Sequence, residues 1–255
     1  MELTEFQKQV FEFVKTRPSP GCHCAKNAFL HLHKVWEIRE IDPEMAYFRC
    51  GCAEEEAATA IFQSLKRLQY PNAEKLKFRN HLHKLAVVPF IWAINKAATP
   101  FHEMGYDIQV TIGEEMGKQV IYWNFIYPGT KQRVKPDPPF NFISSVNGVL
   151  YDFSRQIDLL KDIGNDGKVV EYLKRGPNNR NLFLYAASDG IRKIDDTIVV
   201  NFIKEQLSNV TNLLIVYLLI DTYPVRQTFV KQCLNAFIKM VGELPAEIEI
   251  ELRSV

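Results

Sequence analysis

The feature that most constrains this fold is a pair of helical segments that fills residues 41–98. The first segment covers residues 42–68, where Asp42 is suited to the N-cap and Pro43 to the first helical position. Glu44 places a negative charge near the positive end of the helix dipole. These signals predict a long first arm of a helical hairpin.

The second arm is predicted over residues 72–96, after the turn Tyr70-Pro71-Asn72. Asn72 is expected to cap this arm as Asp42 caps the first. Pro89 lies within an apolar run and lacks a backbone N–H, so a kink is expected there.

The two arms carry the chain's densest groups of ionisable side chains. These are Glu54, Glu55 and Glu56 on the first arm, and Arg79, His81, His83 and Lys84 on the second. Polar groups between packed helices are costly unless they are paired or used. Arg79 and His83 are four apart and are expected to share one face. An arginine that binds phosphate beside an imidazole that moves a proton suits acid–base chemistry on phosphodiesters. The alternative is a solvated, salt-bridged helix face.

The rest of the chain is predicted to continue the same single domain, residues 1–255. Residues 1–100 form the helical hairpin region, residues 101–190 a β-hairpin with an irregular insertion, and residues 191–255 the C-terminal helices and a terminal strand. Helices are predicted at residues 4–16, 25–38, 148–160, 193–207 and 225–241, with a helix pair split at Tyr223-Pro224, a β-hairpin at 108–127, and a final strand at 247–252 that pairs with it.

Composition bounds the setting in which the chain works. The apolar fraction of 47% and the charged fraction of 24% are those of an ordinary soluble globular protein. A net charge of +1 excludes the global basic field of strong non-specific nucleic-acid binders. The most apolar run, residues 213–220, is far below the roughly 20 residues needed to span a bilayer. With no signal peptide in view, we expect a soluble cytoplasmic protein with no membrane partner.

The cysteines are candidate metal ligands. The five cysteines are an odd number, which argues against a secreted disulfide framework. The sequence has enough thiolates and imidazoles to bind zinc: Cys22, His23, Cys24, His31, His33, Cys50 and Cys52. However, the spacing is C-x-C, and residues two apart on a helix point in different directions. We therefore favour reduced cysteines and predict no metal and no other cofactor.

A second basic region combines charge with aromatic rings. Its members are Lys131, Arg133, Lys135, Arg175 and Arg180, near Tyr122, Trp123 and Tyr127. Such a mixture can hold single-stranded nucleic acid, although it is more often a loop beside the outer face of a strand. The sequence has no Walker-type phosphate loop, no G-x-G-x-x-G and no G-x-S-x-G, which disfavours an ATPase, a dinucleotide enzyme and an α/β-hydrolase.

Two stretches of the hairpin carry a family resemblance. Ala53-Glu54-Glu55-Glu56-Ala57-Ala58, followed by Asn80-His81-Leu82-His83-Lys84-Leu85, resembles the helical hairpin of HEPN-type proteins, and most of all their AbiV-like abortive-infection branch. Arg180-Asn181-Leu182-Phe183-Leu184-Tyr185 is similar to a short Arg…Leu-Tyr stretch of that branch. The resemblance implies an all-helical core, frequent dimerisation and, in many members, metal-independent RNA cleavage in bacterial defence. The family's nuclease motif spaces Arg and His by four to six residues, whereas three separate Arg79 from His83, so a non-cleaving member that binds a partner stays open.

The leading hypothesis is a mainly α protein with a small antiparallel β-element and a HEPN-like core. It would bind or cleave RNA in bacterial phage defence or stress response. The predicted catalytic residues are Arg79 for phosphate, His81 or His83 for the proton, and Glu55 or Glu56 to orient the imidazole. The predicted substrate-binding residues are Lys84, Arg175, Arg180 and Tyr185.

Two alternatives belong to other classes of function. One is a non-catalytic module of a defence or toxin–antitoxin system, which forms homo- or hetero-oligomers through the small residues of the first arm and the amphipathic helix at residues 225–241. The other is a small-molecule pocket lined by Trp92, Tyr122, Trp123 and Tyr185.

Overall fold

The computed structural model describes residues 1–97, 105–141, 145–146, 149–150, 172–173, 193–194 and 196–244. These residues are mostly helical and include a three-stranded antiparallel sheet. The predicted class, mainly α with a small antiparallel β-element, is confirmed. No helix among the described residues is long and apolar enough to cross a membrane.

The described residues form α-helices of different lengths, one 3-10 helix and two small antiparallel sheets. The helices are α1 (Glu5–Thr16), α2 (Gly21–Ile38), α3 (Pro43–Arg67), α4 (His81–Leu85), α5 (Val87–Ala97), α6 (Asp196–Asp221) and α7 (Thr228–Gly242), with a 3-10 helix at Ala73–Lys75. The strands are β1 (Asp107–Glu115), β2 (Lys118–Ile126) and β3 (Arg133–Val134) in sheet order, and a separate antiparallel pair of β4 (Ser145–Val146) and β5 (Val149–Leu150).

Helix α3 is the predicted first arm, and it lies at the centre of the fold. The Asp42 side chain accepts a hydrogen bond from the backbone N–H of Met45 at 2.9 Å, and Pro43 is the first helical residue. Both signals are therefore confirmed. Four alanines of α3, Ala53, Ala57, Ala58 and Ala60, are fully buried, and the helices that contact α3 most are α2 and α6. At Gly21 the approach is so close that an added Cβ would lie 2.8 Å from the carbonyl oxygen of Ala60.

The second arm differs from its prediction at the start. Asn72 adopts a left-handed conformation with φ of 70°, and its side chain makes no capping hydrogen bond. It donates instead to the Asn235 side chain of α7 at 2.9 Å. The helix begins only after Asn80, whose side chain accepts from the backbone N–H of His83 at 3.2 Å. The predicted cap at Asn72 is wrong, because its left-handed backbone leads into a 3-10 helix and no α-helix starts there.

The second arm is also broken where a kink was expected. Helix α4 ends at Leu85 and α5 begins at Val87. Pro89 lacks the N–H that would bond to the carbonyl of Leu85, so the helical ladder loses its bond at this point. The interruption therefore precedes the proline by about one turn, and the single helix predicted for residues 72–96 becomes two.

Three other helix predictions need correction. Helix α2 begins at Gly21 and not near residue 25, and α6 runs unbroken to Asp221 instead of ending at residue 207. Val149 and Leu150 pair as strand β5, so the helix predicted from residue 148 is wrong there, and its remainder lies outside the described residues. The terminal strand at residues 247–252 also lies outside them.

The β-hairpin is confirmed, with longer strands than predicted. The β1–β2 pairing extends to Glu115 and Lys118, which leaves a two-residue turn at Met116-Gly117. Both turn residues have positive φ, 48° and 73°, the geometry that favours glycine and that closes a twisted hairpin. The hairpin is held to the helices by Tyr223, whose hydroxyl donates to the carbonyl of Ile121 at 2.7 Å.

A buried carboxylate joins the ends of three helices. The Asp221 side chain at the end of α6 is fully buried and accepts from Arg17 Nε at 3.1 Å and from Arg67 Nη2 at 2.9 Å. Ser64 of α3 adds a third hydrogen bond at 2.8 Å. Burial alone would raise the pKa of Asp221, but the hydrogen bonds from Ser64 and Ser19 and the charge of Arg67 outweigh it, so the pKa lies below its usual value.

We predict that Asp221→Asn costs about 3 kcal/mol of stability at pH 7, because it leaves two arginines without their shared counter-charge. Urea denaturation followed by circular dichroism measures the change. Asp42→Asn is the matched control and should cost far less, since asparagine caps a helix about as well as aspartate. Equal stability of Asp221→Asn and the wild type would show that this carboxylate does not hold the helix ends together.

Candidate functional site

The three consecutive glutamates of α3 point in three directions. Successive side chains on a helix are about 100° apart, so they cannot share one face. Glu54 faces the interface with α6, Glu55 faces α4, and Glu56 lies on the side of Cys24 in α2. Of these carboxylates, Glu55 meets the predicted histidine and lysine.

Glu55, His81 and Lys84 form one cluster between α3 and α4. The His81 Nδ1 atom lies 2.8 Å and 2.9 Å from the two carboxylate oxygens of Glu55. The Lys84 ammonium group donates to Glu55 Oε2 from the same side. This arrangement follows from helical spacing. Residues three apart on a helix are neighbours on its surface, so His81 and Lys84 of α4 can both contact the Glu55 carboxylate.

The charge state of Glu55 determines which ring nitrogen of His81 carries a hydrogen. Burial alone would raise the pKa of Glu55, but the hydrogen bond from His81 and the charge of Lys84 outweigh it, so the pKa lies below its usual value. An ionised carboxylate only accepts hydrogen bonds, so the His81 Nδ1 atom must carry a hydrogen. The Nε2 atom has no hydrogen-bond partner among the described residues, and 42% of the side chain is exposed. That nitrogen can exchange a proton with a bound molecule.

The other predicted members of the hairpin site lie apart from this pair. Arg79 precedes α4 in an exposed turn, so it does not share a helical face with His83 as was expected. His83 is buried, and its Nδ1 atom accepts from the backbone N–H of Lys77 at 3.4 Å. The predicted pairing of Arg79 with His83 on one face is wrong, because the helix begins after Arg79.

Lys84, a predicted substrate-binding residue, forms an ion pair within the protein. Its ammonium group is paired with Glu55, and its side chain is only 12% exposed. It therefore helps to keep the Glu55 carboxylate ionised. The predicted substrate-binding residues Arg175, Arg180 and Tyr185 lie outside the described residues.

The second basic region is less open than the sequence implied. The Lys135 ammonium group lies 3.5 Å from the centre of the Tyr122 ring and 2.7 Å from a Glu115 carboxylate oxygen. Trp123 packs edge-on against Phe140, with ring centres 5.0 Å apart, on the core side of the sheet. These two rings are therefore engaged within the protein and do not offer a free stacking platform.

The alternative sites also change in the structure. Where the chain is described, no three His, Cys, Asp or Glu side chains are placed to hold a metal ion, and none of the five cysteines forms a disulfide. Of the small residues that were expected to dock a partner helix, Ala53, Ala57, Ala58 and Ala60 are buried within the chain, whereas Gly51 and Cys52 are half-buried. Helix α7 likewise places Leu234 and Phe237 in the core. Trp92 packs against Tyr172, at 5.0 Å between ring centres, and does not share a described cavity with Trp123.

Glu54 is a buried titratable group that the functional hypothesis overlooked. It is 2% exposed, and the Tyr172 hydroxyl donates to its Oε2 atom at 2.6 Å. Its Oε1 atom, like that of Gln206, has no hydrogen-bond partner in the described part of the chain. Burial raises the pKa of Glu54 to about 7, despite hydrogen bonds that act in the opposite direction. Its spacing from Ala57, Ala58 and other buried residues of α3 could have placed it in the core.

Comparisons of this chain with protein-family models, with curated proteins and with solved structures found no match.

The burial of Glu54 predicts a specific pH dependence of stability. Its folded-state pKa of about 7 lies above the ordinary 4.5, so the folded chain holds this proton where the unfolded chain has lost it. Stability should therefore fall by about 3 kcal/mol as the pH rises from 4.5 to 7, and then level off. Urea denaturation across this range should show that Glu54→Gln removes the decline.

The matched control is Glu74→Gln in the exposed 3-10 turn, which should retain the wild-type pH profile. A Glu54→Gln protein whose stability still declines by the same amount between pH 4.5 and pH 7 would contradict the assignment to Glu54.

Proposed function

We propose that this protein is a HEPN-like RNA-binding protein that cleaves RNA without a metal, in bacterial phage defence or stress response. The observation that carries the proposal is the pairing of Glu55 with His81 at 2.8 Å. A carboxylate that fixes the hydrogen of one imidazole nitrogen prepares the other nitrogen for proton transfer. The quoted resemblance of the two hairpin stretches supplies RNA as the substrate.

The proposed reaction uses the ribose 2′-hydroxyl as the nucleophile. His81 Nε2 takes the proton of this hydroxyl while the ribose 2′-oxygen attacks the adjacent phosphorus. The bond from phosphorus to the 5′-oxygen breaks, the leaving oxygen takes a proton from water, and the products are a 2′,3′-cyclic phosphate and a 5′-hydroxyl. His81 then returns its proton to solvent. The need for a 2′-hydroxyl makes DNA a non-substrate.

Arg79 is proposed to hold the phosphate that is attacked. It is exposed, and it makes no ion pair with a described residue. It precedes His81 by two residues in the sequence, which keeps its backbone close to that of His81. A guanidinium group binds phosphate oxygens with two parallel hydrogen bonds, a geometry that a lysine does not offer. Lys84 contributes indirectly, since its positive charge helps to keep the Glu55 carboxylate ionised.

The experiment is cleavage of a 5′-labelled single-stranded RNA in EDTA, with the matching DNA as a parallel substrate. The wild type should cut the RNA and leave the DNA intact. His81→Ala should lower the rate by at least about 100-fold, as expected for loss of a general base. Glu55→Gln should lower it by about tenfold or more, because the imidazole loses its orienting charge. Arg79→Ala should mainly weaken RNA binding.

The control is His33→Ala, which removes an exposed histidine of α2 and should leave cleavage unchanged. An unchanged RNA profile with the wild type would remove the catalytic proposal. Equal cleavage by the wild type and His81→Ala would do the same. Binding of RNA that is lost in Arg79→Ala without any cleavage would leave a non-cleaving RNA-binding protein.

A further inference from the structure

A cavity of about 340 Å³ lies between α3, α5, α6, α7 and the β-hairpin. Its walls include aromatic rings from several of these elements, namely Phe62, Phe90, Trp123 and Phe237. The walls are formed by residues that are distant in sequence, so the cavity arises from the tertiary packing. None of Glu55, His81 and Arg79 lines it, so it is separate from the proposed RNA site.

The polar groups of this cavity are few and lie at its edge. Asn95 of α5 and Asn212 of α6 belong to its lining, and both side chains are exposed to solvent. Among the described lining residues none carries a charge. The arrangement is that of many small-molecule sites: an apolar chamber of several hundred Å³ with a small number of orienting polar groups.

We propose that this cavity binds an uncharged amphiphile. Its apolar body fills the chamber, and its hydroxyl or amide head lies between Asn95 and Asn212. An apolar cavity of about 150 Å³ accommodates benzene, so this chamber has room for roughly a dozen carbon atoms. A charged head is disfavoured because the described lining offers no counter-ion.

Packing favours the occupation of this chamber by an apolar molecule. Protein interiors are close-packed, and an empty apolar volume lowers stability in proportion to its size. Cys233 and Val216 present small side chains to the chamber and so keep the space open. The Asn amide groups at the rim can both donate and accept hydrogen bonds, so they suit a neutral head group that is a donor, an acceptor or both.

Three probes with the same ten-carbon chain test the proposal: decan-1-ol, decanoate and decyltrimethylammonium. Each is titrated into the full chain below its aggregation concentration at pH 8 by calorimetry, and the melting temperature is recorded in parallel. Decan-1-ol should bind at one saturable site, at least tenfold more tightly than either charged probe, and should raise the melting temperature. The absence of saturable binding by decan-1-ol would overturn the proposal, and equal affinity for the three probes would overturn the neutral-head assignment.

Two variants locate the binding. Val216→Phe fills the chamber and should abolish decan-1-ol binding, whereas Ile198→Phe, at an exposed position of the same helix, should bind as the wild type does. Asn212→Ala should weaken binding several-fold without lowering the melting temperature of the free protein, and it decides the matter if Val216→Phe does not fold. Wild-type affinity in both Val216→Phe and Asn212→Ala would place the site elsewhere and contradict the proposal.

Discussion

The interaction on which this structure depends most is the burial of the Asp221 carboxylate between Arg17 and Arg67. It fixes the end of α6 against the ends of α1 and α3, at a place where an unpaired charge would be costly. Because α3 is held in this way, its faces contact different neighbours: α2, α4 and α6 pack against it, and Phe62 also faces the Phe237 ring of α7. The direction of every side chain on α3 then decides whether it is buried in the core or takes part in the site.

The parts of the fold that could be predicted were those with local signals. Asp42 and Pro43 mark the start of α3 because a cap and a fixed φ act within one turn. The β-hairpin follows from alternation along two adjacent strands. Asn72 carries the same local signal as Asn80, but it adopts a left-handed backbone and its side chain contacts Asn235, a residue of α7 that is remote in sequence. A local pattern cannot contain that information.

The candidate site shows the same division. Glu55 and His81 were among the predicted catalytic residues, but the sequence offered several carboxylates and two histidines and could not choose between them. The choice depends on where α4 begins, because this start puts His81 against Glu55 and turns His83 into the protein. Glu54 was overlooked as a core residue because it was interpreted as one of a run of charges, although its helical spacing from Ala57 and Ala58 indicates burial.

The central claim is that the Glu55 carboxylate holds the hydrogen of His81 on Nδ1. The most direct measurement is the imidazole tautomer, from long-range nitrogen–hydrogen NMR correlations of nitrogen-15-labelled protein in its neutral-ring form, with exposed His23 as the internal reference. We expect His81 to be in the Nδ1–H form in the wild type and to lose this preference in Glu55→Gln. An Nε2–H form of His81 in the wild type, or a tautomer ratio equal to that of His23, would contradict it.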